Sequence, residues 1–493
     1  MYEIVLFFSV FCFVGVTATF VRSSAFSAFH PLTFYLAFHG FIFVFRPIFV
    51  YAMDYNLVYR IYQFVPSLSD KIIAILVSTF GMLVFAAVCW RAGNLPMKFK
   101  LDKVAAAERT RLAPLFCWIA ALCVPIGIYS LVTVWDTAIS TGSAYSNVVR
   151  NNVTRIAYSV GTNGYLLEAQ LMLASCAVIF AWLFRFRIYA FLPLAVFAVY
   201  RAGIGGRGPI IAALATALLF YLYDRRRRLP SALALTMVPL VLIAFTAIGD
   251  DRGAAIRGAI SNDASSEVFG RNRDRERFLE GMDFANLEYL EYVIYVVPQR
   301  SQTYGYFNTV LQVFTEPVPR ALWPDKPFNA PFDRINMFDY GNPVGMTRSL
   351  PGEGWFSLGW AGVAIWCGLW GWLLGTLYRR FVEGPQSNIQ VAAYMIFLSM
   401  LIVAFRDGQL VTVFRQGLFF MAPIVLWWLL ARLVGVPKIG AVRLRLARRA
   451  KQSGTGRSSD AGERSVSAQR TLPSAVRRRL ALASAAEDPS NTP

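Results

Sequence analysis

Histidine and charged residues are scarce in this chain. Only two of its 493 residues are histidines, and 16% are charged, whereas a soluble domain carries roughly 25% charged residues. The chain therefore has too few histidines to favour a His-rich zinc site or a Ser-His-Asp triad. We expect no metal site and no bound cofactor, and the low charge content argues against a soluble globular protein.

The chain also offers little for disulfide chemistry or for a cleavable leader. Its six cysteines all fall inside apolar stretches, none in a C-x-x-C pair, and we interpret them as small hydrophobic side chains. They are Cys12, Cys89, Cys117, Cys123, Cys176 and Cys367. The first apolar stretch, residues 4–21, lacks the preceding basic residues of a signal peptide, so we expect a first membrane helix there.

Apolar residues dominate what is present. Hydrophobic residues make up 56% of the chain and aromatic residues 15%. Since about 20 apolar residues cross a bilayer as a helix, the sequence predicts an all-α polytopic membrane protein with about eleven transmembrane helices. The predicted spans are residues 2–21, 32–51, 72–90, 112–135, 165–184, 188–204, 209–223, 229–249, 355–377, 389–405 and 409–431.

The net charge of +19 is concentrated between the predicted spans. Basic clusters occupy residues 91–111, residues 225–228 and the tail after residue 432, which alternation places on one side of the membrane. By the positive-inside rule that side is cytoplasmic. We therefore predict an outward N-terminus and a cytoplasmic C-terminus, and this rule explains the basic residues better than nucleic-acid binding does.

The predicted organisation has two parts. Residues 1–435 form a multi-span membrane domain, and residues 436–493 form a basic, largely disordered cytoplasmic tail. The membrane domain includes a large non-cytoplasmic loop, residues 250–354, in which apolar residues recur at helical spacing over 284–297. Because long structureless loops are uncommon in folded domains, we expect a partly helical cap.

The first candidate functional motif is Arg-Ala-Gly-Ile-Gly-Gly-Arg-Gly-Pro at residues 201–209. Arg201 and Arg207 offer planar donors suited to phosphate oxygens. Gly206 and Gly208 let backbone N–H groups approach an anion at the start of the next helix. The motif favours a pyrophosphate site, with an interfacial turn carrying snorkelling arginines as the alternative.

The second candidate motif is the Pro-rich stretch at residues 316–327. Its prolines restrict the backbone, and Trp323 offers a flat face of the kind that stacks on sugar rings. Arg320 and Lys326 add positive charge. The stretch favours a substrate-binding segment, with a Pro-stiffened loop around a buried Trp as the alternative.

The third candidate motif, residues 348–355, leads into the ninth predicted span. Glu353 lies between two glycines at the predicted membrane boundary, close to Arg348. A carboxylate there could serve as general base on a sugar hydroxyl. The alternative is a carboxylate that only complements a helix N-terminus. Arg406, in the turn between the last two spans, lies on the same predicted side.

Three segments in this order resemble the bacterial O-antigen polymerases (Wzy-type) of oligosaccharide repeat units. They are Gly-Gly-Arg-Gly-Pro at 205–209, Pro-Arg-Ala-Leu-Trp-Pro-Asp-Lys-Pro at 319–327 and Gly-Glu-Gly-Trp-Phe-Ser-Leu-Gly-Trp-Ala-Gly at 352–362. The resemblance covers roughly residues 1–435. It implies a multi-span glycosyltransferase of the inner membrane with a large periplasmic loop, working without a nucleotide sugar or an obligatory metal.

The resemblance also implies a reaction and a set of partners. The donor would be a glycan on undecaprenyl pyrophosphate, and the acceptor a hydroxyl of another lipid-linked repeat unit. The product would be O-antigen, capsule or exopolysaccharide, with membrane lipids, a chain-length regulator and a flippase as candidate partners. We assign Arg201 and Arg207 to the pyrophosphate, with Arg320, Arg348 and Arg406 as second choices, Glu353 as base and Trp323 as sugar platform.

Two other functions fit a protein of this kind. A lipid-glycan flippase would carry internal repeats and broken helices near the midplane, but the halves of this chain show no convincing repeat. An O-antigen ligase shares the multi-span architecture, and we expect a functional histidine in its large loop. Residues 250–354 contain no histidine, which weighs against the ligase.

Overall fold

The structure, a computed structural model, covers most of the predicted membrane domain. It describes residues 1–141, 148–150, 157–159, 168–232, 254–261, 279–318, 322–323, 334–343, 347–437 and 439–446, and the single residues 234, 236 and 345. The chain divides into two units, Met1–Val436 and Pro437–Pro493. In the second unit Pro437 and the helical residues 439–446 are described, and its other residues lie outside the described part of the chain.

The described part of the first unit is almost entirely helical. Its α-helices are α1 (Tyr2–Arg22), α2 (Pro31–His39), α3 (Arg46–Ala52), α4 (Leu57–Tyr62), α5 (Leu68–Gly93), α6 (Lys103–Thr141), α7 (Leu171–Leu183), α8 (Leu192–Gly203), α9 (Gly208–Asp224), α10 (Ala254–Ser261), α11 (Asn286–Val296), α12 (Asn308–Thr315), α13 (Ser349–Glu383), α14 (Asn388–Asp407) and α15 (Leu410–Leu433). A π-helix, Gly40–Phe45, joins α2 to α3. Short 3₁₀ helices occupy Ile188–Phe191, Met282–Phe284 and Met337–Asp339. Two short strands, Val148–Arg150 and Ala157–Ser159, pair antiparallel.

Seven helical segments in the described residues are long and apolar enough to cross a membrane. They are α1, α2 to α3 as one run, α5, α6, α13, α14 and α15. Three shorter apolar helices, Leu171–Leu183, Ile188–Gly203 and Gly208–Asp224, match the fifth, sixth and seventh predicted spans. The eighth predicted span, 229–249, falls almost wholly outside the described residues, so the chain is a polytopic membrane protein whose total of eleven spans stays a prediction.

Side-chain caps fix where two of the long helices begin. Ser67 accepts a hydrogen bond from the Asp70 amide while Asp70 accepts one from the Ser67 amide, which forms a capping box at the start of α5. Ser387 and Gln390 form the same box at the start of α14. Each box satisfies backbone donors that the first helical turn leaves without partners.

Helices α9 and α14 pack antiparallel. The hydroxyl groups of Thr216 and Ser399 are hydrogen-bonded at 2.5 Å near the middle of the two helices. Towards one end, Tyr223 Oη donates to Gln386 Oε1 at 2.9 Å. Towards the other end, Gly208 and Asp407 each lie eight residues from the Thr216–Ser399 contact, about 12 Å along a helix. The start of α9 and the turn between α14 and α15 therefore lie at the same end of the bundle.

Small residues bring α5 and α13 into close contact. A Cβ atom at Gly375 would lie 2.5 Å from the Cys89 carbonyl oxygen, and one at Gly371 would lie 2.8 Å from that of Phe85. The contacts advance in the same direction along both helices, so α5 and α13 run parallel. Glycines four residues apart allow this backbone approach, as they do in other membrane helix pairs.

The start of α13 is a tight helical reversal rather than the beginning of a straight span. Leu358 and Gly359 leave the helical conformation, and Gly359 has φ +60°. A Cβ atom at Gly354 would lie 2.6 Å from the Cα of Val363, although nine residues of continuous helix would separate these positions by about 13 Å. Residues 349–357 therefore fold back as a short helix against residues 360–383. The predicted span 355–377 missed this break because its apolar residues continue across it.

Helices α11 and α12 cover the reversal. The Trp355 indole donates to the Val297 carbonyl oxygen at 2.9 Å, and the Gly305 amide donates to the Phe356 carbonyl oxygen at 2.8 Å. Helix α11 lies within the stretch 284–297, where helical spacing predicted a helix. The segment between α10 and α13 thus contributes packed, buried structure at this end of the bundle.

Candidate active site

Glu353 lies in the short helix of the reversal, completely buried. Its Oε2 atom lies 3.1 Å from Arg348 Nη1, and its Oε1 atom accepts a hydrogen bond from the Thr309 hydroxyl of α12. The Arg348 guanidinium lies 3.9 Å from the centre of the Phe356 ring. The pocket therefore gives the buried Glu353 carboxylate one cationic and one hydroxyl partner, as buried charged groups require.

Helix α11 supplies two further polar residues to this site. Tyr289 forms a hydrogen bond with Arg348, and burial raises the pKa of the Tyr289 hydroxyl, an effect that the Arg348 charge opposes. The Asn286 amide donates to the Thr347 carbonyl oxygen at 3.0 Å and to the Arg406 carbonyl oxygen at 2.8 Å. One side of α11 therefore ties the segment before α13 to the end of α14.

The α14–α15 turn completes the charge cluster. Asp407 is hydrogen-bonded by Thr412 and lies within electrostatic range of Arg348 and Glu353. Gly408, with φ +73°, brings the turn against the start of α13, where a Cβ atom at position 408 would overlap the Ser349 carbonyl oxygen. We name Glu353, Arg348, Tyr289, Arg406 and Asp407 the Glu353 site. The structure thus brings Glu353 and Arg348 of the sequence predictions into contact, and it joins Arg406 to the site through its backbone carbonyl oxygen.

A second polar group lies in the turn between α8 and α9. Arg201, in the last turn of α8, is 7% exposed, and its Nε atom is buried without a hydrogen-bond partner in the described part of the chain. A Cβ atom at Gly206 would lie 2.5 Å from that Nε. Glycine is therefore needed at 206 to leave room for the guanidinium, a reason that the sequence motif alone did not reveal.

Arg207 and Gly208 lie at the start of α9. Arg207 is the N-cap residue and is partly exposed, while Gly208 is exposed with open space where a side chain would stand. Helix α10 contacts this turn through Arg257, whose Nη1 atom donates to the Gly203 carbonyl oxygen at 2.5 Å. We name Arg201, Gly206, Arg207 and Gly208 the arginine turn. A helix N-terminus and two arginines make it a favourable place for an anion.

The Glu353 site and the arginine turn lie at one end of the bundle. The antiparallel packing of α9 on α14 places Gly208 level with Asp407. The packing of α9 on α14 therefore relates the two groups to each other. This arrangement allows one extended substrate to reach both groups.

The Pro-rich stretch is described at residues 316–318 and at Leu322 and Trp323. Trp323 is 37% exposed, so it is not the buried tryptophan of the alternative interpretation. Arg320 and Lys326 lie outside the described residues. At the start of the stretch, Glu316 lies 4.0 Å from Arg415 of α15, which also pairs with Glu168 at 3.5 Å.

Sequence reasoning missed Thr309, Asn286 and Tyr289. All three reach the Glu353 site from helices between α10 and α13, and each is an ordinary helical residue with no motif around it. The only available signal was that Asn286 and Tyr289 are three residues apart on a predicted helix and therefore share a face. Within the described ranges, no group of three or more His, Cys, Asp or Glu residues could hold a metal ion.

Comparisons with known proteins identify the family. No curated protein and no solved structure gives a significant match to this chain. A family model does match, over almost the whole first unit, including the Glu353 site and the arginine turn, and it confirms the family that the three motifs indicated. That model is O-antigen polysaccharide polymerase Wzy, it matches residues 1–434, and the chain belongs to this family.

Proposed function

We propose that this protein joins oligosaccharide repeat units carried on undecaprenyl pyrophosphate, at the periplasmic face of the bacterial inner membrane. Membership of the polymerase family supports repeat-unit polymerisation in general. The observation that carries the finer proposal is the buried Glu353–Arg348 pair at the same end of the bundle as the arginine turn. The positive-inside prediction assigns that end to the periplasm.

The proposed reaction exchanges one C–O bond for another. An acceptor sugar hydroxyl attacks the anomeric carbon of the donor, and the bond from that carbon to the pyrophosphate oxygen breaks. The bonding electrons leave with undecaprenyl pyrophosphate. The hydroxyl proton passes to the Glu353 carboxylate, so the products are a longer lipid-linked glycan and a free lipid pyrophosphate.

Each polar group has a part in this scheme. Negative charge grows on the departing pyrophosphate, and Arg201 and Arg207 stabilise it, an effect worth roughly 2 to 4 kcal/mol per well-placed donor. Arg348 and Thr309 hold the Glu353 carboxylate in place, where it serves as the general base. Arg406 and Arg320 are second choices for the pyrophosphate, and Trp323 with Lys326 binds the sugar chain.

The structure carries one more argument for chemistry over transport. The charged side chains of the Glu353 site and of the arginine turn lie at one end of the bundle, and α5 and α13 pack through glycines. A flippase needs polar residues near the midplane to pass a glycan headgroup. A catalyst on one membrane face needs them only there.

The decisive experiment combines gene deletion with reconstitution. Deletion should leave surface glycan as single repeat units, and the purified full-length protein in lipid nanodiscs should convert lipid-linked units extracted from the deleted cells into a ladder of longer chains. Intermediates stranded on the cytoplasmic face would indicate a flippase. Free polymer accumulating on lipid would indicate a ligase, and either result would overturn the proposal.

A further inference from the structure

A buried ion pair lies behind the Glu353 site, outside the motifs found in the sequence. Arg46 of α3 is completely buried, forms an ion pair with Glu288 of α11 and donates from Nε to the Leu279 carbonyl oxygen at 2.9 Å. Such pairs contribute little net stability, because removing both charges from water offsets their attraction. Stability alone therefore does not explain why this ion pair is buried next to the Glu353 site.

A second contact fixes the same side of α11. Glu291, three residues after Glu288, is buried and accepts a hydrogen bond from Tyr59 Oη of α4 at 2.8 Å. Lys71 Nζ of α5 lies 4.7 Å from the centre of the Tyr59 ring. Helix α11 is thus held by α3, α4 and α5 through two neighbouring carboxylates.

The opposite side of α11 reaches the reaction site. Asn286 and Glu288 are two residues apart, which is about 200° around a helix, so they face opposite ways. Asn286 and Tyr289 contact the Arg406 backbone and the Arg348 side chain, as described above. Any tilt or rotation of α11 that follows loss of the Arg46–Glu288 pair would move those contacts.

We propose that Arg46 and Glu288 are positioning residues for glycosyl transfer, which hold α11 so that Asn286 and Tyr289 keep Arg348 aligned on Glu353. The inference rests on the proposed polymerase function and deepens it. It makes the reaction depend on Arg46 of the N-terminal helices, which lies 242 positions before its partner Glu288 in the chain.

The charges around Glu291 make this role measurable. Burial and then the Glu288 charge raise the pKa of Glu291 to about 8, and Lys71, the Tyr59 hydrogen bond and Arg46 limit the rise. Tyr2 of α1 also faces Glu291. Glu291 is therefore mostly neutral at pH 7. Above pH 8 it becomes a second buried negative charge that competes with Glu288 for Arg46.

The first test separates rate from binding. The purified full-length protein in nanodiscs is assayed with lipid-linked repeat units extracted from polymerase-deleted cells. Arg46→Gln and Glu288→Gln should each lower kcat at least about tenfold with little change in KM, and Arg46→Lys should recover most of the rate. Unchanged kcat in folded Arg46→Gln and Glu288→Gln proteins would overturn the inference.

The matched control is the Arg109–Asp224 pair, which joins α6 to α9 at the other end of the bundle with a 3.0 Å contact. Arg109→Gln and Asp224→Asn should lower the melting temperature and leave kcat unchanged. An equal loss of kcat in these controls would mean that any weakened ion pair impairs the enzyme, which would also overturn the positioning role.

The second test needs no variant at risk of misfolding. Glu291→Gln has the shape and neutral charge that Glu291 has at pH 7, so it should fold and turn over normally there. Wild-type kcat should fall between pH 7 and pH 9, and Glu291→Gln should remove that fall. A wild-type profile without the fall, or a fall retained in Glu291→Gln, would contradict the inference.

The two proposals fail in different ways. If the wild-type protein makes no glycan ladder, the proposed function fails. If the wild-type protein makes the ladder while the Arg46, Glu288 and Glu291 variants match it in rate and pH profile, only the positioning role fails.

Discussion

The backbones of Gly354 and Gly362 are in direct contact across the reversal that begins α13. A Cβ atom at either position would collide with backbone of the other arm, and Gly359 turns the chain between them with φ +60°. This contact packs the short helix that carries the buried Glu353 against the long arm of α13. The sequence predicts Glu353 at the start of a membrane span. Because of the reversal, Glu353 instead lies at the centre of a polar pocket.

Gly362→Ala should destabilise the protein and abolish polymerisation. The added methyl group overlaps the Gly354 carbonyl oxygen, and backbone on both sides leaves nothing flexible to yield, so the cost should be at least about 1 to 3 kcal/mol. Thermal melting in detergent and the surface glycan ladder measure both effects. Gly368→Ala is the matched control, because its Cβ would meet only Val84 Cγ1 at 3.7 Å. A stable, active Gly362→Ala protein would show that the reversal is not required.

Glu353→Gln should remove activity and keep the fold. Glutamine occupies the same volume and can still hydrogen-bond Arg348 and Thr309, but it cannot accept the hydroxyl proton. General bases contribute about 10²- to 10⁴-fold, so the initial rate of chain extension should fall by at least about 100-fold. Glu383→Gln is the control, since Glu383 is exposed and pairs with Arg379 at 3.0 Å at the other end of α13. Activity near wild type in Glu353→Gln would remove Glu353 from the mechanism.

Gly206→Ala should impair the reaction by displacing a neighbouring side chain. Its Cβ would lie 2.5 Å from Arg201 Nε, so the guanidinium must leave its buried position. We expect a loss of rate similar to that of Arg201→Ala, and the double variant should lose little more, because both changes remove the same group. Gly15→Ala, with nothing within 4 Å of its Cβ, should behave as wild type. Additive losses would show that Gly206 and Arg201 act separately.

Stability should depend on pH through Glu291. Burial and Glu288 raise the pKa of this carboxyl to about 8 in the folded protein, above its value in an unfolded chain, so the folded state holds the proton more tightly. The contribution of this proton to the free energy of unfolding is fully present below about pH 4. It is lost as pH rises to 8. The melting temperature of wild type relative to Glu291→Gln should therefore decline over this range and level off above it. A constant difference would mean that Glu291 does not titrate differently on unfolding.

Helix α11 shows how far local pattern could lead. Apolar residues at helical spacing were enough to predict a helix over 284–297, and the structure has one at Asn286–Val296. The same pattern could not show that Glu288 pairs with Arg46, since these residues are separated by 242 positions. Nor could it show that Asn286 reaches Arg406. Such partners are determined by how helices that are distant in the sequence pack together. Hydropathy and periodicity carry no information about that packing.

The sequence by itself determined the lipid environment, most of the helices and the family, because apolar runs, basic clusters and ordered motifs are properties of the chain alone. Tertiary structure decided which polar groups meet. Thr309 reaches Glu353 only because α13 reverses at Gly359, and Arg201 fits its turn only because position 206 has no side chain. Both depend on the distance between backbones that pack against each other, and that distance exists only in the folded protein.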